Sequence, residues 1–139
     1  MSHFASEQEV YDTLGKLFLD MLEDDELMAD FRSSDTIVQY QLREPAARIT
    51  VKLKAGEEPR VDLGTTELEP EVVMSMDADT AHAFWLGNVN ITVALARGQI
   101  KAQGPIAKML KLVPAAKPVF ARYRAQLEDQ GRQDLIEVA

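Results

Sequence analysis

The sequence predicts an α+β domain in which a five-stranded, largely antiparallel sheet is covered on one face by about five helices. Three observations lead to this prediction. Apolar residues recur at helical spacing near the start of the chain, between residues 6 and 21. Between residues 36 and 76 they alternate with polar residues, as in strands with one wet face. Helical spacing returns in the second half, with one short strand between the helices, so these helices can cover the apolar face of the sheet.

The first helix is predicted from a capping box, in which Ser6 is followed by Glu9. The apolar residues after this box fall on one side of a helix, and they are Val10, Leu14, Leu17, Phe18 and Met21. A second short helix is expected around residues 26–31, before the polar residues 33–35. Two helices therefore precede the sheet, with Leu19 on the polar side of the first.

The strands are predicted from a period of two. The first strand has an apolar and a polar side, with Val38, Tyr40 and Leu42 on one and Gln39, Gln41 and Arg43 on the other. The second strand repeats the pattern, with Ile49, Val51 and Leu53 alternating with Thr50, Lys52 and Lys54. Residues 61–63 and 72–76 predict the third and fourth strands. We expect these four strands to form an antiparallel meander with one wet face.

The second half predicts three further helices and the fifth strand. Asp77 is expected to cap a helix over residues 81–86, and residues 89–97 predict the next helix. The fifth strand follows at residues 99–103. Pro105 then takes the first position of a last helix, which Pro114 and Pro118 must bend or interrupt.

The composition predicts a single domain over residues 1–139, with an acidic tail at residues 128–139. The chain has 46% hydrophobic residues, which is typical of a globular domain. It has 0 cysteines, and this absence excludes disulfides, cysteine-bound zinc, iron–sulfur clusters and a thiol nucleophile. Residues 1–10 lack the basic and apolar pattern of a signal peptide, and no stretch is apolar enough to span a membrane. We therefore expect a cytoplasmic protein.

Charge is divided unevenly along the chain, whose formal net charge is -8. Residues 80–127 contain no acidic residue, so they predict a local positive surface. This surface would face lipid head groups, a phosphorylated ligand or the acidic first helix. The candidates for contact with an anionic head group or membrane are Lys101, Lys108, Lys111 and Lys117. Nucleic acid is not an expected partner, because most of the chain is acidic and its aromatic residues are expected to be buried.

Motifs for catalysis or cofactor binding are not found. Neither His3 nor His82 has a nucleophile or acidic partner in a recognisable motif. Asp77, Asp79 and His82 could approach one metal ion, but residues at a helix start are more often a cap and a solvated turn. The glycine-containing run at residues 98–104 lacks the spacing of a phosphate or dinucleotide loop. We expect no enzyme activity, no cofactor and no metal.

Apolar residues in the second half exceed what covering one sheet requires. The candidates for contact with an apolar ligand are Met74, Met76, Phe84, Trp85, Val89, Val93, Ile100, Ile106, Met109, Leu110, Val113 and Phe120. Flexible methionines and a helix bent at proline would let the helices and the sheet separate around such a ligand. The alternative is that these residues pack only on one another.

The order of elements resembles that of the sterol carrier protein type-two domain, also called the sterol-binding or sterol-transfer domain. Residues 79–84 are similar to its helix start, residues 90–104 to its short helix and its Gly-x-Ile/Leu-Lys-x-x-Gly strand, and residues 106–110 to its last helix. The resemblance covers about residues 10–125, and Pro105 departs from it where the family often has an acidic residue. It implies a non-catalytic carrier with a hydrophobic tunnel for sterols, fatty acids, acyl-CoA thioesters or phospholipids.

Three hypotheses for function follow from the sequence. The first is binding and transfer of one elongated hydrophobic ligand, by a monomer or weak dimer that transiently contacts an anionic membrane. The second is a protein–protein interaction module with the same fold and a collapsed cavity. The third, which the missing nucleophile disfavours, is an enzyme acting on an acyl substrate with His82 as its base.

Overall fold

Five strands form one mixed sheet in the order β3-β2-β1-β4-β5. In the computed structural model, which describes residues 2–137, the strands are β1 (Thr36–Arg43), β2 (Ala47–Leu53), β3 (Arg60–Leu63), β4 (Val72–Asp77) and β5 (Lys101–Gln103). Strands β1 and β4 are parallel, and the other neighbouring pairs are antiparallel. The predicted five-stranded, largely antiparallel sheet is therefore confirmed.

The position of β4 shows that the predicted meander was wrong. Strand β4 does not pair with β3 but lies on the far side of β1, with Met74 opposite Tyr40. The connection at residues 64–71 therefore has to cross one face of the β1–β2 pair. Alternation along a strand shows which face a side chain occupies, but it does not show which strand lies beside it.

The sequence predicts that the second face of the sheet is exposed to solvent. In the structure, part of this face is buried. Gln39 is 5% exposed, and Thr50 is fully buried. They lie opposite each other in the register of β1 and β2, where the Gln39 side-chain amide donates to the Thr50 hydroxyl at 3.1 Å. Their burial indicates that the connection at residues 64–71 crosses on this face.

Eight α-helical segments lie within residues 2–137. In the first half these are α1 (Glu7–Val10), α2 (Lys16–Met21) and α3 (Asp25–Arg32), with a single π-helical turn at Tyr11–Gly15 between α1 and α2. In the second half they are α4 (Ala78–Trp85), α5 (Ile91–Ala96), α6 (Ile106–Leu110), α7 (Leu112–Asp129) and α8 (Gln133–Glu137). Their apolar sides and one face of the sheet form a common core.

The predicted helix starts are confirmed in part. Ser6 caps α1, since its hydroxyl accepts from the Glu9 amide at 3.2 Å. Asp77 precedes α4 as predicted, but its carboxylate pairs with Arg43 at 3.1 Å instead of capping the helix. Pro105 lies just before α6, not at its first position.

The last predicted helix is divided into α6 and α7. Proline has no amide hydrogen, so Pro114 and Pro118 cannot donate to the carbonyl groups of Leu110 and Pro114 in the helical pattern. Pro118 lies inside α7, which nevertheless continues to Asp129. Two backbone donors are therefore missing in the first turns of α7, and α6 packs against β4.

Candidate apolar binding cavity

An apolar cavity of about 30 Å³ lies between the sheet and the helices of the second half. Strands β1 and β4 form its floor, and α3 and helices α4 to α7 form its walls and roof. The lining residues are Phe31, Tyr40, Met74, Met76, Ala81, Phe84, Trp85, Ile91, Ile100, Met109, Leu112, Val113 and Ala116. None of these residues is charged.

Seven of the twelve residues expected to contact an apolar ligand line this cavity, and they are Met74, Met76, Phe84, Trp85, Ile100, Met109 and Val113. The other five lie elsewhere. Val89 and Phe120 are partly buried against the core, whereas Val93, Ile106 and Leu110 are exposed on the outer sides of α5 and α6. Ile106 and Leu110 share α6 with Met109 but lie on the side of that helix that faces away from the cavity.

Six lining residues were not among the sequence candidates: Phe31, Tyr40, Ala81, Ile91, Leu112 and Ala116. The alternation in β1 could have indicated Tyr40, because it lies on the covered face between Val38 and Leu42. Helical spacing from Met109 and Val113 could have indicated Leu112 and Ala116. No sequence signal brings Phe31 to this place, because its contact depends on how α3 packs.

A second void of about 10 Å³ lies beside the first, toward α2 and β2. Phe31, Tyr40 and Leu112 line both voids, so these three side chains separate them. Methionines line both spaces, among them Met74 in the first and Met28 in the second. Movement of the three separating side chains would join the voids into one channel between the sheet and the helices.

Aromatic rings pack in series along one wall of the cavity. Phe18 packs against Tyr40 and Trp85, with ring centroids 5.3 Å and 5.2 Å away. Phe84 contacts Trp85 edge to face at 5.0 Å and Phe120 at 5.9 Å. Burial raises the pKa of the Tyr40 hydroxyl above its usual value of 10.0, so the phenol remains protonated at neutral pH.

The outer sides of the covering elements are basic and partly apolar. Lys111 and Lys117 are exposed on this side, whereas Lys101 is exposed on β5 beside Ser75, on the face of the sheet opposite Met74; none of the three forms an ion pair within the described residues. Lys108 differs, because its ammonium donates to the Asp35 carbonyl at 2.8 Å and lies 3.5 Å from the Glu71 carboxylate. Three exposed apolar side chains belong to the same region, with exposed fractions of 43% for Val93, 38% for Ile106 and 45% for Leu110.

Two residues considered for catalysis or metal binding, His82 and Asp79, have structural partners. His82 is fully buried, with Nδ1 2.8 Å from the Tyr123 hydroxyl and Nε2 2.6 Å from the Leu135 carbonyl oxygen. Asp79 accepts from the His3 backbone amide at 2.9 Å. Both imidazole nitrogens of His82 are therefore engaged within the protein.

Residues 2–137 contain no group of three or more histidine, cysteine or acidic side chains placed to hold a metal ion. Nor does any helix in this range have the length and hydropathy needed to cross a bilayer.

Residues 16–117 match the sequence profile of the SCP-2 sterol transfer family. This match covers well over half of the chain. The chain belongs to the SCP-2 sterol transfer family. The resemblance seen in the sequence is thereby confirmed, and no curated protein matches this SCP-2 chain.

Solved structures show the same SCP-2 fold. A sterol carrier protein domain 2 from Helicoverpa armigera is 20% identical, with a TM-score of 0.66 over 87% of this chain and 95% of that chain. Apo sterol carrier protein 2 from Yarrowia lipolytica is 15% identical, with a TM-score of 0.62 over 75% of this chain and 87% of that chain. The fold also occurs within a larger enzyme, the sec-alkylsulfatase Pisa1 from a Pseudomonas species. That match is 14% identical, with a TM-score of 0.54 over 63% of this chain and 14% of that chain.

Proposed function

We propose that this SCP-2 domain binds one elongated hydrophobic ligand between the sheet and helices α4 to α7, and transfers it between membranes. The observation that carries the proposal is the cavity, whose lining is almost entirely apolar side chains from both layers of the fold. Membership of a sterol transfer family supports a lipid as the ligand. The class comprises fatty acids, acyl-CoA thioesters, phospholipids and sterol-like lipids.

Ligand entry requires the cavity to expand. Its volume of about 30 Å³ is far below the roughly 300–1,000 Å³ of pockets that bind drug-sized ligands. Helix α6 and the first turns of α7 are the elements best suited to move, because Pro114 and Pro118 cannot donate backbone hydrogen bonds to the preceding turns. Met74, Met76 and Met109 can then change rotamer around the chain of the ligand.

Burial of such a ligand provides enough free energy to offset the costs of binding. Burying a chain of about 16 carbons provides on the order of 10 kcal/mol, at about 0.8 kcal/mol per methylene. Loss of translational freedom and the separation of packed side chains oppose this gain. A net affinity in the micromolar range is the expected result.

The outer side of the covering elements is the proposed membrane contact. Lys111 and Lys117 have no acidic partner within residues 2–137, so their ammonium groups can face anionic lipid head groups. Ile106 and Leu110 lie on the helix whose inner side contributes Met109 to the cavity. Contact with a bilayer would thus act on the element that must move for a ligand to enter.

The small cavity also favours a second function, an interaction module in which the space stays collapsed. In this form the protein would bind a partner protein through its basic helix or the face around Leu19, which is 42% exposed. This alternative predicts a purified protein that contains no lipid and does not bind acyl probes.

Native mass spectrometry with organic extraction tests the two functions. A stoichiometric fatty acid, isoprenoid or phospholipid in the purified protein would support the carrier, and so would saturable binding of a fluorescent acyl probe. An empty protein that also fails to bind such probes would contradict it and favour the interaction module.

A cavity-filling variant locates the binding space. Ala116 lines the cavity on α7, so Ala116→Leu should weaken probe binding about tenfold or more by occupying the space of the ligand. Ala125→Leu, on the exposed side of the same helix, is the matched control and should bind normally. Equal probe affinities in these two variants would place the ligand elsewhere.

A further inference from the structure

The segment that enters α6 is fixed at two points to Glu71, the residue directly before β4. Gly104 packs on the Glu71 backbone, with a φ of +106° and no room for a side chain beside the Glu71 carbonyl oxygen. Four residues later, the Lys108 ammonium lies 3.5 Å from the Glu71 carboxylate. Both ends of this short segment are therefore held by the same residue of the sheet.

Lys108 also reaches the turn between α3 and β1. Its ammonium donates to the Asp35 carbonyl oxygen at 2.8 Å, and a hydrogen bond from a charged donor is stronger than one between neutral groups. Asp35 is itself held in place, because its carboxylate accepts from the Ala55 amide at 3.0 Å. Lys108 thus joins α6 to two parts of the molecule that belong to the sheet and its turns.

This contact lies where it can control access to the cavity. Met109, the next residue, is 1% exposed and lines the cavity, whereas Ile106 and Leu110 lie on the outer side of α6. The helix has five residues and no side-chain cap, so few backbone hydrogen bonds hold it in place. Movement of α6 away from the sheet would withdraw Met109 from the cavity.

The contact can break without leaving a carboxylate unpaired. Glu71 also accepts from the Lys54 ammonium at 3.0 Å, and Lys54 lies 3.7 Å from the Asp35 carboxylate. The hydrogen bond from Lys54 lowers the pKa of the Glu71 carboxyl below its usual value of 4.5, so this group stays ionised at neutral pH. Lys108 can therefore leave while the rest of the cluster persists.

We propose that Lys108 is a latch, a contact that holds α6 closed over the cavity and so slows the exchange of ligand. This inference rests on the proposed carrier function and concerns its regulation. It gives Lys108 a role different from that of Lys111 and Lys117, which are exposed and face outward. Salt screens exposed charge pairs, so the latch opens more readily as ionic strength rises.

Transfer of bound parinaric acid to neutral phosphatidylcholine vesicles tests the latch. Lys108→Gln removes the charge but keeps most of the side chain, and it should speed this transfer about threefold or more, as expected for the loss of one exposed charge pair. A head-group contact predicts a different pattern, because its loss would slow transfer to anionic vesicles and leave transfer to neutral vesicles unchanged. Unchanged or slower transfer to neutral vesicles by Lys108→Gln would overturn the latch.

Two variants control for the loss of a positive charge. Lys111→Gln removes an exposed lysine directly after α6 and should leave transfer to neutral vesicles unchanged. Lys54→Gln weakens the same charge cluster without releasing α6, so it should not speed transfer. Transfer accelerated equally by Lys54→Gln and Lys108→Gln would overturn the latch, because the stability of the cluster would then control exchange.

Salt and hydrogen exchange give independent readouts. Sodium chloride should speed transfer from the unchanged protein toward the rate of Lys108→Gln, whose own rate should depend less on salt. Without ligand, amide hydrogen exchange across residues 106–110 should be faster in Lys108→Gln than in the unchanged protein, and equal exchange would contradict the latch.

These results separate the latch from the proposed function. If parinaric acid binds and Lys108→Gln does not speed its transfer, the latch is overturned while the carrier function stands. If parinaric acid does not bind to the unchanged protein, the carrier function is overturned and the latch with it.

Discussion

At the scale of single residues, His82 joins α4 to both α7 and α8 through two hydrogen bonds. The Leu135 carbonyl can only accept, so Nε2 of His82 carries the proton and Nδ1 accepts from the Tyr123 hydroxyl. The ring is therefore neutral in the folded protein. Burial lowers the pKa of His82 below its usual value of 6.5, because a buried imidazolium would lose its hydration.

The lowered pKa predicts how stability depends on pH. The unfolded chain takes up a proton near pH 6.5 and the folded protein only at lower pH, so the contribution of His82 is complete above 6.5. The free energy of unfolding should fall by up to about 1.4 kcal/mol per pH unit between 6.5 and the lowered folded-state pKa. Urea unfolding at pH 7.5 and 5.5 measures the slope.

Two variants isolate this contribution. His82→Gln cannot titrate, so it should be less stable at pH 7.5 and should lose the slope between the two pH values. His3→Gln removes the other, exposed histidine, whose charge contributes less to the lowered pKa of His82 than burial does, and should keep most of the slope. An unchanged slope in His82→Gln would contradict the assignment.

Gly104 is a residue whose backbone position admits no side chain. Its φ is +106°, and a Cβ atom there would lie 2.0 Å from the Glu71 carbonyl oxygen at the start of β4. Gly104→Ala should therefore destabilise the protein by about 3 kcal/mol or more, through left-handed strain and displacement of β5 from β4. Gly56→Ala is the control, since its φ is +77° but nothing lies within 4 Å, and it should cost about 1 kcal/mol. Equal unfolding midpoints for the two variants would show that the contact with Glu71 is unimportant.

At the scale of elements, the helices α6 and α7 determine how readily the cavity opens. Replacing Pro118 by alanine restores an amide that can donate to the Pro114 carbonyl. Pro118→Ala should stabilise the protein by about 1 kcal/mol, slow amide hydrogen exchange across residues 110–118 and slow release of a bound acyl probe. Pro59→Ala, in the loop before β3, should leave probe release unchanged. Faster release from Pro118→Ala would exclude opening at this place.

The same elements show which parts of the structure could be predicted from the sequence. The existence of most strands and helices follows from periodicity, because a side chain is buried or exposed according to the face it occupies. The pairing of β1 with β4 and the burial of Gln39 do not follow, since both depend on the route of residues 64–71. The exposure of Ile106 and Leu110 also could not be read from the apolar stripe, because they share it with Met109 and Val113, which reach the cavity.

At the scale of the whole molecule, the acid-free second half is only partly neutralised by the rest of the protein. Arg122 pairs with Asp24 at 2.6 Å, as expected if basic helices face the acidic start of the chain. Lys108 is held by Asp35 and Glu71. Of the lysines predicted to contact a head group or membrane, Lys108 is therefore the least available. Lys111 and Lys117, at the start of α7, remain exposed for that role.

Charge reversal at these two lysines tests the membrane contact. Each lysine near an anionic bilayer contributes about 1 kcal/mol, so Lys111→Glu combined with Lys117→Glu should weaken binding to phosphatidylserine vesicles about 30-fold or more. Probe transfer to such vesicles should slow, while transfer to neutral phosphatidylcholine vesicles and the unfolding temperature should change little. Lys16→Glu, in the first half of the chain, is the control, although it also breaks an exposed pair with Asp20. The comparison is made at low salt, where screening is weakest. If the double variant transfers the probe to anionic vesicles as fast as the unchanged protein does, α7 does not approach the bilayer. The basic surface then has another role.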